Sequence, residues 1–577
     1  MKQLFKHFAL LVMGALISGC AAEVDDLQPT TNGTVTMKTT ISLSEQASTR
    51  ALTEAGVKTF ATGDKIAVIY KNTSDETVKV ESTALTATDI DATDAHKATF
   101  SVSLTNPKAG TPVRYIYPAA MAVTTIATDA AIDDAATIDY TKLATQDGTL
   151  TTLANTLDLS VFDGSLTSEA TLPNTATLTN PLTIGAFTIK NSDDTSDLTS
   201  TITGLTINDG SNTYAVTRTA AAGPIYVAMK PIVSTQTIAV DATDGTNNYT
   251  KSVSGNALAA SSIYTITVKA LKKIDLSQIT AAYTAQNGDI LSGTLDVANY
   301  PVKISIAAGA TVTLNGLTIN GINNSSYPWA GITCDGDATI ILADATTNTV
   351  QGFYENYPGI IVAEGKTLTI KGGTLGTGKL IASSHYPSPT SYSAGIGGGD
   401  KVNCGNITIS GGTIIANGGV QGAGIGGGGL GACGNITISG GTIKAFSGSN
   451  GAGIGGGFGG ACVNITISGG EISAEGGSYG AGIGGGDHGS CGNITISGGN
   501  ITSYSNWSGA GIGGGYKGKC GNIIITTSVT MVEATKGSEA QHSIGKGQCS
   551  DCGTVTIGGS TGYISDSPYT YQPPAVP

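Results

Sequence analysis

Cysteine stands at positions 404, 433, 462, 491 and 520, one every 29 residues, and again at 552 after a unit with three extra residues. Thiols at such a spacing have three chemical uses: covalent bridges, metal ligation, or packing as small apolar groups. Neighbouring strands of a sheet lie about 4.8 Å apart, inside the Cα range of a bridge, but side chains in register run parallel and do not converge. Packed thiols are therefore the expectation, with a local bridge from Cys549 to Cys552 as the alternative at the last unit. That Cys-x-x-Cys has no second pair and no histidine pattern beside it, so no metal and no cofactor is assigned.

A second column holds Asn406, Asn435, Asn464, Asn493 and Asn522. Its first four members read as N-x-Thr, but an amide ladder running from rung to rung is the expected use, ahead of glycosylation. Gly422-Ala423-Gly424-Ile425-Gly426-Gly427 satisfies the dinucleotide fingerprint, yet the pattern returns in every unit and no helix follows it. Those glycines serve turns, not phosphates.

Sugar-cleaving chemistry needs paired carboxylates, or Asp-bound calcium with a cationic base. Asp400 and Asp487 share a column but stand three units apart, roughly 14 Å by the strand spacing. Glu471 and Glu475 lie on one rung, His488 and His542 stand alone, and Asp335, Asp337 and Asp344 have turn-like neighbours. No catalytic residue is assigned. Variation between units is more informative, because two turns change while the framework stays constant. One carries Phe446, Tyr479, Tyr504 and Trp507 amid Asn and Ser; the other carries Asp400-Lys401, Leu430, Phe458, Asp487-His488 and Tyr516-Lys517. Ring faces beside amides and hydroxyls suit sugars, which makes Phe446, Tyr479, Tyr504 and Trp507 the candidate ligand ridge.

These residues need a stack to hold them. Ile407 and Ile409 point one way and Thr408 and Ser410 the other, the period of a strand, and the alternation resumes after Gly411-Gly412. Three short strands broken by glycine turns, repeated every 29 residues, describe one coil of a right-handed parallel β-helix. Ile396, Ile425, Ile454, Ile483 and Ile512 form one inward column. Each buried isoleucine contributes roughly 1.5–3 kcal/mol, while ordering the backbone costs on the order of 1–2 kcal/mol per residue. One coil cannot stand alone, so the stack is long and capped. Ala330-Gly331-Ile332 and Gly359-Ile360-Ile361 anticipate the later column, which places the helix over 273–562 with irregular early coils and a Pro-rich tail over 563–577.

The chain has 577 residues, of which 12% are charged, with a net charge of −13, which excludes nucleic acid as a partner. Lys2 and Lys6 precede an apolar run from Phe8 to Ile17, the form of a signal peptide over 1–20. Ile17-Ser18-Gly19-Cys20 resembles a bacterial lipobox, whose cysteine is lipidated and becomes the mature N-terminus. With the acidic residues that follow, this is similar to the export tag of lipoproteins anchored on the outer membrane and exposed at the cell surface. A tether over 21–34 leads into alternating runs bounded by Gly, Asn and Asp, the pattern of two β-sandwiches over 35–170 and 171–272. The fold class is all-β.

Gly63-Asp64-Lys65-Ile66-Ala67-Val68-Ile69-Tyr70, Tyr115-Ile116-Tyr117-Pro118-Ala119, Gly223-Pro224-Ile225-Tyr226-Val227-Ala228-Met229 and Ser262-Ile263-Tyr264-Thr265-Ile266-Thr267-Val268, behind a lipobox, resemble the fimbrillin family of lipidated surface and pilus proteins. The resemblance covers roughly residues 20–272. It implies two transthyretin-like sandwiches, fimbrial subunits as partners, and in polymerising members a trypsin-like cut after an arginine; Arg50 stands where that cut would fall. Shaft subunits of the family supply a C-terminal donor strand, whereas this chain ends Tyr569-Thr570-Tyr571-Gln572-Pro573-Pro574-Ala575-Val576-Pro577. Proline cannot donate to a ladder, so the tail reads as a poor strand and the chain as a tip-type subunit or free-standing lipoprotein. The glycine-rich half resembles β-helix modules of bacterial surface proteins. Together these features describe a non-catalytic surface lipoprotein, an adhesin or pilus-tip-type protein binding a carbohydrate or another surface ligand. The alternatives are a polysaccharide lyase or hydrolase, and a structural spacer without ligand.

Overall fold

The computed structural model describes residues 33–43, 59–192, 194–254, 257–385 and 390–573; Cys20 and Arg50 lie outside the described residues. The chain divides into two compact units. One comprises the residues up to Ala186 with Tyr226–Gln236 and Asn256–Tyr264, the other Phe187–Ile225, Thr237–Gly255 and the chain from Thr265 onward.

In the first unit the strand Thr34–Leu43 pairs antiparallel with Lys97–Thr105 and parallel with Thr175–Leu178. A second, antiparallel sheet orders Thr77–Glu81, Ala67–Lys71, Pro112–Tyr117 and Ser160–Ser165. Alternate residues of both sheets meet in one core of Ile41, Phe100, Val102, Val68, Tyr70 and Tyr115. Phe60 closes it edge-on, its ring centroid 5.3 Å from Phe100 and 5.1 Å from Tyr117. Two sheets over a shared core make a β-sandwich.

The second unit begins as an antiparallel sheet of Gly204–Asn208, Thr213–Thr217, Thr237–Thr243 and Asn248–Ser254. The long strand Ser262–Asp275 then pairs antiparallel through Lys273↔Asn248 and, at the same residue, parallel through Lys273↔Ile290. An antiparallel sheet thus passes directly into the first rung of a parallel β-helix. Ile274 and Leu276 are already buried in the helix core.

Three long parallel ladders build that helix, and a fourth, shorter one joins Ala461–Cys462, Ser490–Cys491, Lys519–Cys520 and Asp551–Cys552. The first runs in ten strands from Tyr283–Ala285 to Ile544–Gly545, with Ile332↔Ile360, Ile360↔Ile396 and Ile396↔Ile425 in register. The second carries Ile407↔Ile436 and Ile436↔Ile465, and the third Ile414↔Ile443 and Ile443↔Ile472. All these isoleucines are buried, so the columns read from the sequence are the inward faces of the coils. Asn ladders mark the turn before the second ladder. Asn406 Oδ1 accepts from the Asn435 backbone N–H at 2.8 Å, and Asn464 and Asn493 repeat the bond to Asn493 and Asn522 at 2.9 Å. The amides therefore bond chiefly to the next backbone, and side chain to side chain only at Asn435–Asn406 and Asn464–Asn435.

Two expectations are corrected here. The tail does form a strand: Tyr569–Tyr571 runs antiparallel to Met531–Thr535, and both tyrosines pack on the core. Pro573 and Pro574 follow it, so Tyr569, Thr570 and Tyr571 keep their N–H groups and the alternation a strand needs. The cysteine column also does more than pack. Cys520 and Cys552 are bridged, while Cys404, Cys433, Cys462 and Cys491 are free and buried, and Cys549 is free and exposed.

Candidate functional site

The constant residues of each coil fix where its variable turns emerge. Gly426 shows how tightly: its φ is +136°, and a Cβ there would meet the Gly455 carbonyl oxygen at 2.0 Å. With coils this close, the two variable turns are stitched together. The carbonyls of Gln421, Asn450 and Tyr479 in one turn accept the N–H groups of Phe458, Asp487 and Tyr516 in the other turn of the next coil, at 2.8, 2.7 and 2.7 Å. Ser508 accepts from Gln548 at 2.8 Å in the same way. What the sequence presents as two separate turns is one ridge.

A continuous array of rings crosses it. Trp507 lies 5.7 Å from Tyr479, Tyr479 5.8 Å from Tyr516, Tyr516 5.7 Å from His488, and His488 6.1 Å from Phe458. The Lys517 ammonium sits 4.9 Å from the Tyr516 ring centroid, within cation–π range. Trp507 is 49% exposed, His488 is exposed, and the other three rings are half-buried. Backbone geometry favours display. Lys401, Leu430, His488, Lys517 and Cys549 all have φ between +51° and +57°, and Gly459, on the same column, has +59°. Glycine would occupy that left-handed position at least cost, yet most coils place a large side chain there.

Asp487 anchors the centre. Its side chain is buried and its Oδ1 is 2.6 Å from His488 Nδ1. Burial pushes its carboxyl above the ordinary value, against the lowering effect of His488 and Lys517. Asp400 in the same column lies 3.8 Å from Lys401 and is not paired with Asp487.

Of the four residues expected on the ridge, Tyr479 and Trp507 join the array. Phe446 and Tyr504 do not: they face outward on the third ladder, in register with Glu475 between them. Tyr504 donates to Asn506 Oδ1 at 2.9 Å. Beside them the outward face holds a shallow groove of about 150 Å³, lined by Thr442, Lys444, Glu471, Ser473, Asn500 and Thr502. Phe458, His488 and Tyr516 complete the array from the second turn. Their signal lay in the spacing, since Phe458, Asp487 and Tyr516 share one 29-residue column and His488 follows it by one.

The Beta helix repeat family model matches residues 407–429, 436–458, 465–487 and 494–516, each from the second ladder to the second variable turn. No curated protein matches the chain. Among solved structures, a fimbrial assembly protein from Parabacteroides distasonis is similar at 13% identity, covering 41% of this chain and 90% of that one, with a TM-score of 0.25. A C-terminally truncated tip fimbrial protein from Porphyromonas gingivalis is similar at 9% identity, covering 41% of this chain and 95% of that one, with a TM-score of 0.21.

Proposed function

We propose that this is a surface-exposed, fimbrillin-like adhesion protein, anchored in the outer membrane through lipid on Cys20, whose β-helix binds a carbohydrate without cleaving it. The ring array from Trp507 through Tyr479, Tyr516 and His488 to Phe458 carries the reading. It sits on the segments that vary between otherwise constant coils, and partly exposed ring faces offer apolar contact to the flat face of a sugar. The Lys517 ammonium over Tyr516 and the Asp487–His488 pair supply polar groups beside it.

The test is a glycan and matrix-protein array probed with the full chain, followed by Trp507→Ala with Tyr479→Ala. Loss of such an anchor costs about 2 kcal/mol or more, so the double variant is expected to bind at least about thirtyfold more weakly while retaining a cooperative melting transition. Full binding by a folded double variant would refute the ridge. An unsaturated-product or reducing-end assay on the glycans bound separates adhesion from lyase or hydrolase activity. For the anchor, Cys20→Ala is expected to leave the protein unprocessed or released from membranes, and correct processing with membrane retention would refute it.

A further inference from the structure

The cysteine column ends in a bond, and that bond constrains every cysteine above it. Cys520 and Cys552 are joined across in-register rungs, their Cα atoms 4.5 Å apart. Cys433, Cys462, Cys491 and Cys520 are successive register partners. Cys404 belongs to the same column, since its N–H bonds the Ala432 carbonyl at 2.8 Å as that of Cys433 bonds Ala461 at 2.7 Å. Within the column each cysteine has neighbours only on the rungs above and below.

A row of this kind pairs completely in a single frame: Cys404 with Cys433, Cys462 with Cys491, and Cys520 with Cys552. The shifted frame joins Cys433 to Cys462 and Cys491 to Cys520, strands Cys404, and leaves Cys552 for Cys549. The structure takes the first frame at its end, with Cys549 exposed and free. Cys404, Cys433, Cys462 and Cys491 stand in the structure as buried, unbridged thiols, the first three with their sulfurs 3.8, 3.6 and 3.7 Å from the carbonyl oxygens of Gly426, Gly405 and Gly434.

We propose that Cys404–Cys433 and Cys462–Cys491 are two further disulfide sites, so that the column forms three covalent clamps, each tying one coil to the next. The proposal rests on the export proposed above, because such bonds persist in oxidising compartments. Each bond forms by exchange with a disulfide oxidant of the thiol-oxidoreductase class. One cysteine thiolate attacks an oxidant sulfur to give a mixed disulfide; the partner thiolate then displaces it, and the oxidant leaves as a dithiol. The protein loses two protons and two electrons per bond, and the oxidant gains them. Buried, protonated thiols are inert, so the exchange belongs to the winding of the coils, before they close. The result would be an adhesive stack that resists unwinding under load in clamped coil pairs.

The test unfolds and reduces the full chain, refolds it in a glutathione redox buffer, alkylates free thiols and maps unreduced peptides by mass spectrometry. Expected are the three linked pairs, with alkylation at Cys334, Cys549 and, in chain without lipid, Cys20. Alkylation of Cys404, Cys433, Cys462 and Cys491 beside an intact Cys520–Cys552 would overturn the proposal, as would the shifted pairs. Cys433→Ser is expected to expose Cys404 alone, and exposure of Cys462 instead would overturn the frame. The same map on protein recovered from exporting cells separates the two premises: bridges after refolding but none in the cell-derived protein would uphold the pairing geometry and overturn the export it rests on.

Discussion

His488 shows how much a single position in a repeat depends on its neighbours in space. Read along the chain as a catalytic base it stands alone, beside Asp487 in the second variable turn. In the fold Phe458 and Tyr516 flank it from the coils on either side, and Asp487 Oδ1 lies 2.6 Å from its Nδ1. The spacing shows the column that Phe458, Asp487 and Tyr516 share, but the ring contacts of His488 run diagonally, one residue off that period, so the period alone does not pair them. Asp487 gives the site a pH signature. Its carboxyl is raised above 3.8, first by burial, so the fold prefers its neutral form. The stabilising contribution is therefore full below the unfolded value and is lost as pH rises through the raised folded value. Relative to Asp487→Asn, the wild-type chain should be most stable near pH 3 and lose that advantage as pH rises toward neutrality, seen as converging denaturation midpoints across a pH series. A gap between the two proteins that does not change with pH would refute the assignment.

The coil is the element whose rules were most legible. A strict period fixed the inward columns, because a one-residue slip in a strand turns every apolar side chain outward. Ile454 is fully buried between Ile425 and Ile483. Ile454→Asp would bury an unpaired carboxylate at a cost of several kcal/mol. Calorimetry is expected to show the β-helix transition lowered or lost while that of the first unit's sandwich persists; an unchanged profile would place that column outside the core. Gly426→Ala should also destabilise the stack, because the residue needs both a left-handed backbone and the space a Cβ would take from the Gly455 carbonyl. Wild-type melting of that variant would contradict the close packing of coils. The tail was less legible: its prolines dominate its composition, while the strand rests on the three residues Tyr569–Tyr571. The turns were legible as variable, but their joining into one ridge depends on hydrogen bonds between different coils, such as Tyr516 N–H to the Tyr479 carbonyl at 2.7 Å, which no local pattern encodes.

At the scale of the whole molecule, the change of pattern near residue 275 looks like a boundary, and the backbone runs through it. Lys273, Ile274 and Asp275 pair with Ile290, Leu291 and Ser292, while Lys273 also pairs with Asn248 on its other side. The strand pattern changes here, but pairing follows the backbone, so pattern and structural continuity part at this point. A fragment of residues 275–577 would lose Ile274 from its core and uncover the edge of Ile290–Thr294. An open edge with unpaired N–H and C=O groups invites strand addition from another copy. Such a fragment is therefore expected to melt below the β-helix transition of the full chain and to self-associate, by scattering calorimetry and by light scattering respectively. A monomeric fragment that melts with the full chain would show that the first rung needs no partner. The sheet that leads into the helix is, on this reading, its N-terminal cap, so binding measured on the isolated helix would report a frayed stack.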